Sequence, residues 1–396
     1  MPITTDALIQ GWNEVVYATI ETTIGTLIAP VAGSALKVKR ATFGIKEKQR
    51  RVTDIKNTYR SFTEFVTGKR DVVDWEIQIP FKPISASIPP DADPLLEAFF
   101  GVAVASNVYT LTDALKTMTM YKHVTNHEQY IYGAICNKLL LEFGNGASPS
   151  FTFSGQAIKG ARGGAFQITT NGINTLVACS VIVKSPGIGA LTDIDLYYQI
   201  DSEVVKVSSL TEAQMLNSKI ATIARAQFST SAAKHTTNAT DATPYMPTPS
   251  YANTSGGQAL GEQQGTLTVD STTLKVVGGS LELNNGNVYV DDHNYGSELA
   301  EDIRKGKFDG VLSIRVKSHT RANWLYNYAK RNKNFAIQLD VGDTSGKILR
   351  VAAANCEILD QYQSDFEGDN ESIHEIPIKL KSTTSINAVT SFDFSI

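Results

Sequence analysis

Asp71 to Gly101 sets a pattern that returns later in the chain. Val73, Trp75, Ile77 and Ile79 are apolar at every second position, with Asp74, Glu76 and Gln78 between them. That alternation predicts a strand with one face on a core and one on water. The strand should stop at Pro80, which has no N–H for a ladder. A compact helix follows, with Asp93 placed to cap it, Pro94 in its first turn and Gly101 to end it. Leu95, Leu96, Phe99 and Phe100 give this short helix an apolar face, so it must cover something.

The plan occurs twice. IRKGKFDGVLSIRVKS around Gly306 parallels FVTGKRDVVDWEIQIP around Gly68, with Leu312, Ile314 and Val316 alternating against Ser313 and Arg315. Superposing the two alternations needs a one-residue slip. LKVKRATFGI from Leu36 and LKVVGGSLEL from Leu274 each begin 32 residues before their glycine. Trp324, Leu325 and Tyr328 predict a second short helix. ICNKLLLEF from Ile135 is followed by FTFSGQ, and AANCEILDQ from Ala353 by IPIKLKS. Two divergent copies of one strand–strand–helix–strand–strand unit account for this order. The plainer alternative is chance likeness among antiparallel β sequences.

Between the copies the texture changes. GQAIKGARGGA, Gly155 to Ala165, reads as a small, flexible boundary. Residues 166 to 245 read as a separate β module, and the following TPYMPTPSYANTSGGQALG has linker composition. The expected fold class is mainly β: a sandwich or barrel in two divergent halves with short flanking helices, plus an inserted β domain. The expected domains are 1–163 for the first half, 164–248 for the inserted domain with its linkers, and 249–396 for the second half. An insertion between halves that must pair has to leave and return at nearly the same point, and should project from the main body.

The stretch Ile45 to Arg60, IKEKQRRVTDIKNTYR, is unusually polar. Lys46, Lys48 and Arg50 lie on one side of an extended chain, Glu47, Gln49 and Arg51 on the other. It predicts a solvated hairpin arm, or a contact arm meeting acids such as Asp291, Asp292, Glu298 or Asp302. A nucleic-acid patch is a further alternative, with only Phe43, Tyr59 and Phe62 as nearby aromatics.

Bulk composition narrows the field little. Hydrophobic residues make up 42% and charged residues 19% of the 396, as in ordinary globular chains. A net charge of −4 argues neither for nor against a nucleic-acid surface. Cys136, Cys179 and Cys356 form no CxxC pair and suit free thiols better than a disulfide framework. No signal peptide and no membrane-length apolar run are recognisable, so a soluble protein made in a cytoplasm is expected.

Catalytic patterns are missing. There is no GxSxG, and GDTSGKI (Gly342 on) is one residue short of a phosphate loop and lacks the Ser/Thr after Lys347. His123 and His127 sit in strand-like sequence, where residues four apart stand about 13 Å apart, too far to share a metal. DDHNYG from Asp291 lacks an oxygen ligand at its fifth position. Asp74 with Glu76, and Glu357 with Asp360, read as solvent-facing strand carboxylates. No enzyme, metal or cofactor is expected.

VVYATIETTIGTL, the R..F..GKRDVVDWEI..P strand, the DPLLEAFFG helix and the LLLEFGNGASPSFTFSGQ hairpin occur in that order. The order resembles the tail tube proteins of long-tailed bacteriophages. Their first half carries an E-x-x-x-G, here Glu21 to Gly25, a glycine-led strand, here Gly68 to Ile79, and a helix ending in Gly, here Gly101. The resemblance covers about residues 10–160 well and 265–396 more loosely. The inserted module is similar to a small β module of phage tail and baseplate proteins. Its "IDxE" strand is here Ile200 to Glu203, and its "RGQxGTxAxxH" segment Arg225 to His235, with Ala226 and Ser229 where glycines would stand.

The resemblance implies a structural virion protein whose hexameric rings stack into a tube for double-stranded DNA. Implied partners are further copies of itself, the tape measure, the tail terminator and the distal-tail or baseplate proteins. A distal-tail or baseplate adaptor ring and a surface adhesin are the alternative roles. If each half lends two strands to the bore, six chains give about 24 strands at ~4.8 Å, roughly 45–50 Å across at a tilt near 40°. Asp74, Glu76 and Gln78 are then candidates for the lumen wall. Lys46, Lys48, Arg50 and Arg51 would meet Asp291, Asp292 and Asp302 between rings. An outward-standing module argues for a tail without a contractile sheath.

Overall fold

The computed structural model describes residues 14–45, 49–53, 63–67, 72–81, 92–102, 108–124, 127–144, 147–164, 166–168, 179–184, 196–212, 218–233, 235, 240–251, 265–274, 276–290, 302–317, 331, 333–342, 348–359, 373–381 and 391–393. The first half contributes β1 (Glu14–Ile20), β2 (Ala35–Leu36), β3 (Arg40–Phe43), β4 (Gln49–Thr53), β5 (Thr63–Thr67) and β6 (Val73–Pro80). After helix α1 (Asp93–Phe100) come β7 (Val108–Thr110), β8 (Met118–Val124), β9 (His127–Gly144) and β10 (Ala147–Gly164). Next are β11 (Phe166–Ile168), β12 (Cys179–Lys184), β13 (Leu196–Ile200), β14 (Glu203–Glu212), β15 (Ser218–Gln227) and β16 (Thr240–Pro244). The second half holds β17 (Gly265–Val269), β18 (Thr272–Leu274), β19 (Val276–Asn284), β20 (Val288–Tyr289), β21 (Ile303–Arg304) and β22 (Asp309–Lys317). It closes with β23 (Phe335–Val341), β24 (Leu349–Ile358), β25 (Ile373–Leu380) and β26 (Ser391–Asp393). The chain is mainly β, as its alternating sequence predicts.

One antiparallel sheet of 16 strands carries both halves. Along it, β24-β25-β22-β19 is followed directly by β9-β10-β6-β3. These two blocks have the same internal order, because β3, β6, β10 and β9 pair as β19, β22, β25 and β24 do. The flanking strands repeat too: β2-β1-β8-β9 matches β18-β17-β23-β24. Even a bulge recurs, with Tyr132 and Gly133 of β9 between the β8 pairings, and Ala354 and Asn355 of β24 between the β23 pairings. Phe43 faces Trp75 and Leu281 faces Leu312, which fixes the one-residue slip of the sequence alignment. The two blocks meet where β9 pairs β19, Leu141 opposite Leu281. Each half therefore places the four strands of its predicted repeat side by side.

Val73, Trp75, Ile77 and Ile79 are buried, while Asp74 and Glu76 are exposed and Gln78 half-buried, in the predicted phase. The helix differs from expectation at its start. Ala92 occupies the cap without a side-chain bond, and Asp93 is the first helical residue. The Tyr109 hydroxyl draws the Asp93 carboxylate away, and the Ala92 carbonyl takes the N–H groups of Leu95 and Leu96. Gly101 ends the helix at φ 76°, the left-handed conformation that glycine adopts freely. Leu95, Leu96, Phe99 and Phe100 are buried in the main core as the helix packs on β1, β7 and β9, about 1.5–3 kcal/mol for each side chain.

Gly155 to Gly164 is no flexible boundary but the second part of the 18-residue strand β10. A Cβ on Gly155 would stand 1.9 Å from the Ile135 carbonyl oxygen, so close strand approach requires glycine there. The second predicted helix, around Trp324, Leu325 and Tyr328, lies outside the described residues.

Strands of the 166–244 stretch close a barrel of their own, in the order β11-β12-β15-β14-β13-β16. Its first and last strands pair, Phe166 opposite Ala242, so the chain leaves and returns side by side. The barrel residues Tyr198, Ile200, Val205 and Ile223 form one buried cluster with Tyr17, Tyr121 and Tyr130 of the main sheet. The Tyr17 hydroxyl bonds to the Pro247 carbonyl across the same contact.

Candidate assembly surfaces

The face of the main sheet opposite the core is polar across both blocks. From β6, Asp74, Glu76 and Gln78 share it with Thr42 of β3 and Ser154 and Gln156 of β10. The Gln156 amide reaches Asp74 at 3.4 Å, and an open groove of about 460 Å³ runs between Thr42, Asp74, Glu76 and Gln156. In the second block the counterparts of Asp74, Glu76 and Gln78 are Val311, Ser313 and Arg315. Lys138 of β9 pairs with Glu282 of β19 at 2.7 Å, across the joint between the blocks, and Lys379 pairs with Asp309. Asp74, Glu76 and Glu142 are exposed and form no ion pair among the described residues. This face is polar, and in its first block Asp74, Glu76 and Glu142 stand with Arg40, which lies opposite Gln78.

A second surface is the seat of the β20–β21 hairpin on the first half. Asn285 donates from its amide to the Phe99 carbonyl at 2.6 Å. Tyr289 bonds through its hydroxyl to the Gly133 carbonyl at the β9 bulge, and through its N–H to Gln156 at 3.3 Å. Tyr289 and Ile303 pack on Ile135, Ile158 and Val72. The Asn/Gly turn signal at Asn284 to Asn287 went unread, and the seat it serves has no local signal, because the contact joins residues more than 130 apart.

Two sequence motifs prove to be buried carboxylate hubs. Glu21 accepts from the Gly25 N–H at 2.8 Å, the Gly133 N–H at 2.7 Å and the hydroxyls of Thr117 and Thr119 at 2.7 and 2.9 Å. The E-x-x-x-G spacing thus folds a loop back on its own acid and ties it to the β9 bulge. In the barrel, Glu203 accepts from Arg225 Nε at 2.6 Å, from Ala226 and Ala233 N–H at 3.0 and 3.1 Å, and meets His235 Nε2 at 3.0 Å. Burial pushes the Glu203 carboxyl up, but the bonds from Arg225, Ala233, His235 and Ala226 outweigh it and hold the group at about 2. Asp201 takes the other His235 nitrogen at 2.9 Å. Such fully engaged carboxylates hold turns.

The arm candidates fare unevenly. β4 and β5 form a two-stranded hairpin apart from the main sheet, Arg50 opposite Val66 and Arg51 opposite Phe65. Lys46, Lys48, Asp291, Asp292 and Glu298 lie outside the described residues. Asp302 is exposed just before β21. His123 and His127 stand on adjacent strands, His127 exposed and His123 buried 3.8 Å from Glu128. Burial pulls His123 down to about 4 and pushes Glu128 up to about 8.

A duplicated sheet with one hydrated face, and acids spent on holding loops, define a structural β protein. More particularly, the chain belongs to the phage tail tube protein family, whose model matches residues 11–379, both halves and the barrel between them. It is thereby a structural component of the virion tail. No curated protein matches the chain significantly.

Proposed function

We propose that the chain walls a tube for double-stranded DNA, its hydrated sheet face towards the bore, with three copies closing each ring. The carrying observation is the joint between its own two blocks. β19 has β22 on one edge and β9 on the other, whereas its counterpart β3 has only β6 as strand partner among the described residues. On β3's outer edge the Lys122 ammonium bonds to the Ala41 carbonyl at 2.6 Å. An exposed strand edge is a template for another chain. The counterpart of the Lys138–Gly144 part of β9 is the neighbour's stretch 360–366, which follows β24 and lies outside the described residues; pairing it with β3 would repeat between chains the joint inside one chain.

Strand counting sets the number of copies. Eight strands per chain in three chains give about 24 strands and a barrel roughly 45–50 Å across at the backbone. Six chains would give about 48 strands and roughly 95 Å, far wider than a duplex needs. The six units of the ring are then repeats, two to a chain. In the first block Asp74, Glu76 and Glu142 outnumber Arg40, so the wall there offers few phosphate contacts and DNA slides without being held. Rings stack in the host cytoplasm around a tape measure, between terminator and distal-tail proteins. Electron microscopy of the purified protein should show tubes whose end views have three-fold symmetry; a persistent monomer, or rings of six chains, would overturn this reading.

A further inference from the structure

We infer that the β4–β5 arm of one copy seats on the second half of the neighbouring copy in the same ring, at the β24 bulge beside Glu357 and Lys381. The inference rests on the ring proposed above, and repeat symmetry inside the chain locates it. β4–β5 lies between β3 and β6; β20–β21 lies at the same place in the second copy, between β19 and β22. β20–β21 does not sit on its own half. It sits on the half before it, over the β9 bulge, with Tyr289 on the Gly133 carbonyl and Ile303 in the Ile135 cluster. In a ring of alternating halves, the half before the first one is the second half of a neighbour.

That second half carries the corresponding seat. Its β24 bulge puts Asn355 where the first half has Gly133. Cys356 faces Leu380 as Ala134 faces Ala157, which puts Glu357 at the place of Ile135 and Lys381 at the place of Ile158. The chemistry of each seat matches its occupant. Ile135 and Ile158 are apolar and receive Tyr289 and Ile303. Glu357 and Lys381 are an ion pair, still 29% and 38% exposed at their side chains, and the arm assigned to them carries Arg50, Arg51 and Glu64. No segment of its own chain covers this pair among the described residues in the way β20–β21 covers Ile135. The arm's charges thus acquire a use within the ring, in place of the ring-to-ring use that their pattern alone suggests.

Disulfide trapping separates the two geometries. Tubes of a chain carrying Arg51→Cys and Glu357→Cys are oxidised and run without reductant beside wild type, whose three native cysteines serve as background. Contact within a ring yields dimers and trimers and nothing larger, because the chain of links closes on itself. Contact between rings yields a ladder that continues past the ring size and overturns the inference; so do tubes without new links. A ladder stopping at six keeps the seat and overturns the three-chain ring, so the two readings fail separately. Should the variant not assemble, wild-type tubes mixed from heavy- and light-isotope chains are treated with an amine cross-linker. Interchain links from Lys46 or Lys48 to Lys379 or Lys381 are expected, and their absence overturns the seat.

Discussion

At the scale of single residues, the chain holds its acids in two opposite ways. Glu21 and Glu203 are buried but saturated with donors, and those on Glu203 hold its carboxyl well below the usual carboxylate range. Glu128 is buried with one oxygen lacking a hydrogen-bond partner among the described residues, and burial raises it from 4.5 to about 8. Its contribution to stability is full below pH 4.5 and is lost as pH rises through 8. Burial lowers His123 from 6.5 to about 4, so its contribution is present above 6.5 and lost as pH falls through 4. The two slopes offset one another between 4.5 and 6.5; above that, Glu128 acts alone. Glu128→Gln should therefore gain on wild type by about 2 kcal/mol between pH 6.5 and 8, read from urea midpoints across that range. A constant difference between the two proteins would show that Glu128 is already ionised in the fold.

Among elements, the turn closing β15 connects sequence to backbone most directly. Ala226 and Ser229 stand where the related pattern has glycine, and both adopt positive φ, 54° and 60°. An L residue there costs about 1–2 kcal/mol, part of which glycine returns through its greater freedom when unfolded. Both side chains are exposed, and Ala226→Gly keeps the backbone N–H that bonds to Glu203. Ala226→Gly with Ser229→Gly should raise barrel stability by roughly 1–2 kcal/mol, measured as a higher urea midpoint; an unchanged or lower midpoint refutes the strain. Elements whose pattern is local were legible in this way: the phase of Val73 to Ile79, the Gly101 stop and the β4–β5 arm. What failed depended on distant partners. Asp93 lost its capping role to Tyr109, and the glycines after Ser154 served a neighbouring carbonyl instead of a linker. The four strands of each half were legible, but not their side-by-side order, since pairing β10 with both β6 and β9 is invisible to periodicity.

For the whole molecule, the barrel between the halves is the part that should be removable. Because Phe166 pairs beside Ala242, a short Gly/Ser bridge spans the cut that deletes Phe166 to Tyr245. Removal uncovers Tyr17, Tyr121 and Tyr130, which now pack with Tyr198, so a lower melting temperature is expected. Tubes should still form, narrower outside and unchanged within, by electron microscopy. Loss of folding would show that the barrel is integral to the sheet.

The direct joint of β19 to β9 has a further consequence, for inheritance and assembly alike. In a ring of six single-repeat subunits every joint is the same pair of surfaces, so one substitution strikes all six joints at once. In the three-chain ring proposed above, three joints would be sealed inside polypeptides, so that pairing there is intramolecular before any two chains meet. Those joints can tolerate wear that a diffusing partner could not. The halves are free to drift apart, and Asp74, Glu76 and Gln78 against Val311, Ser313 and Arg315 show that they have done so. A passing duplex would then meet two alternating textures around the bore, neither of which it could grip along its whole circumference.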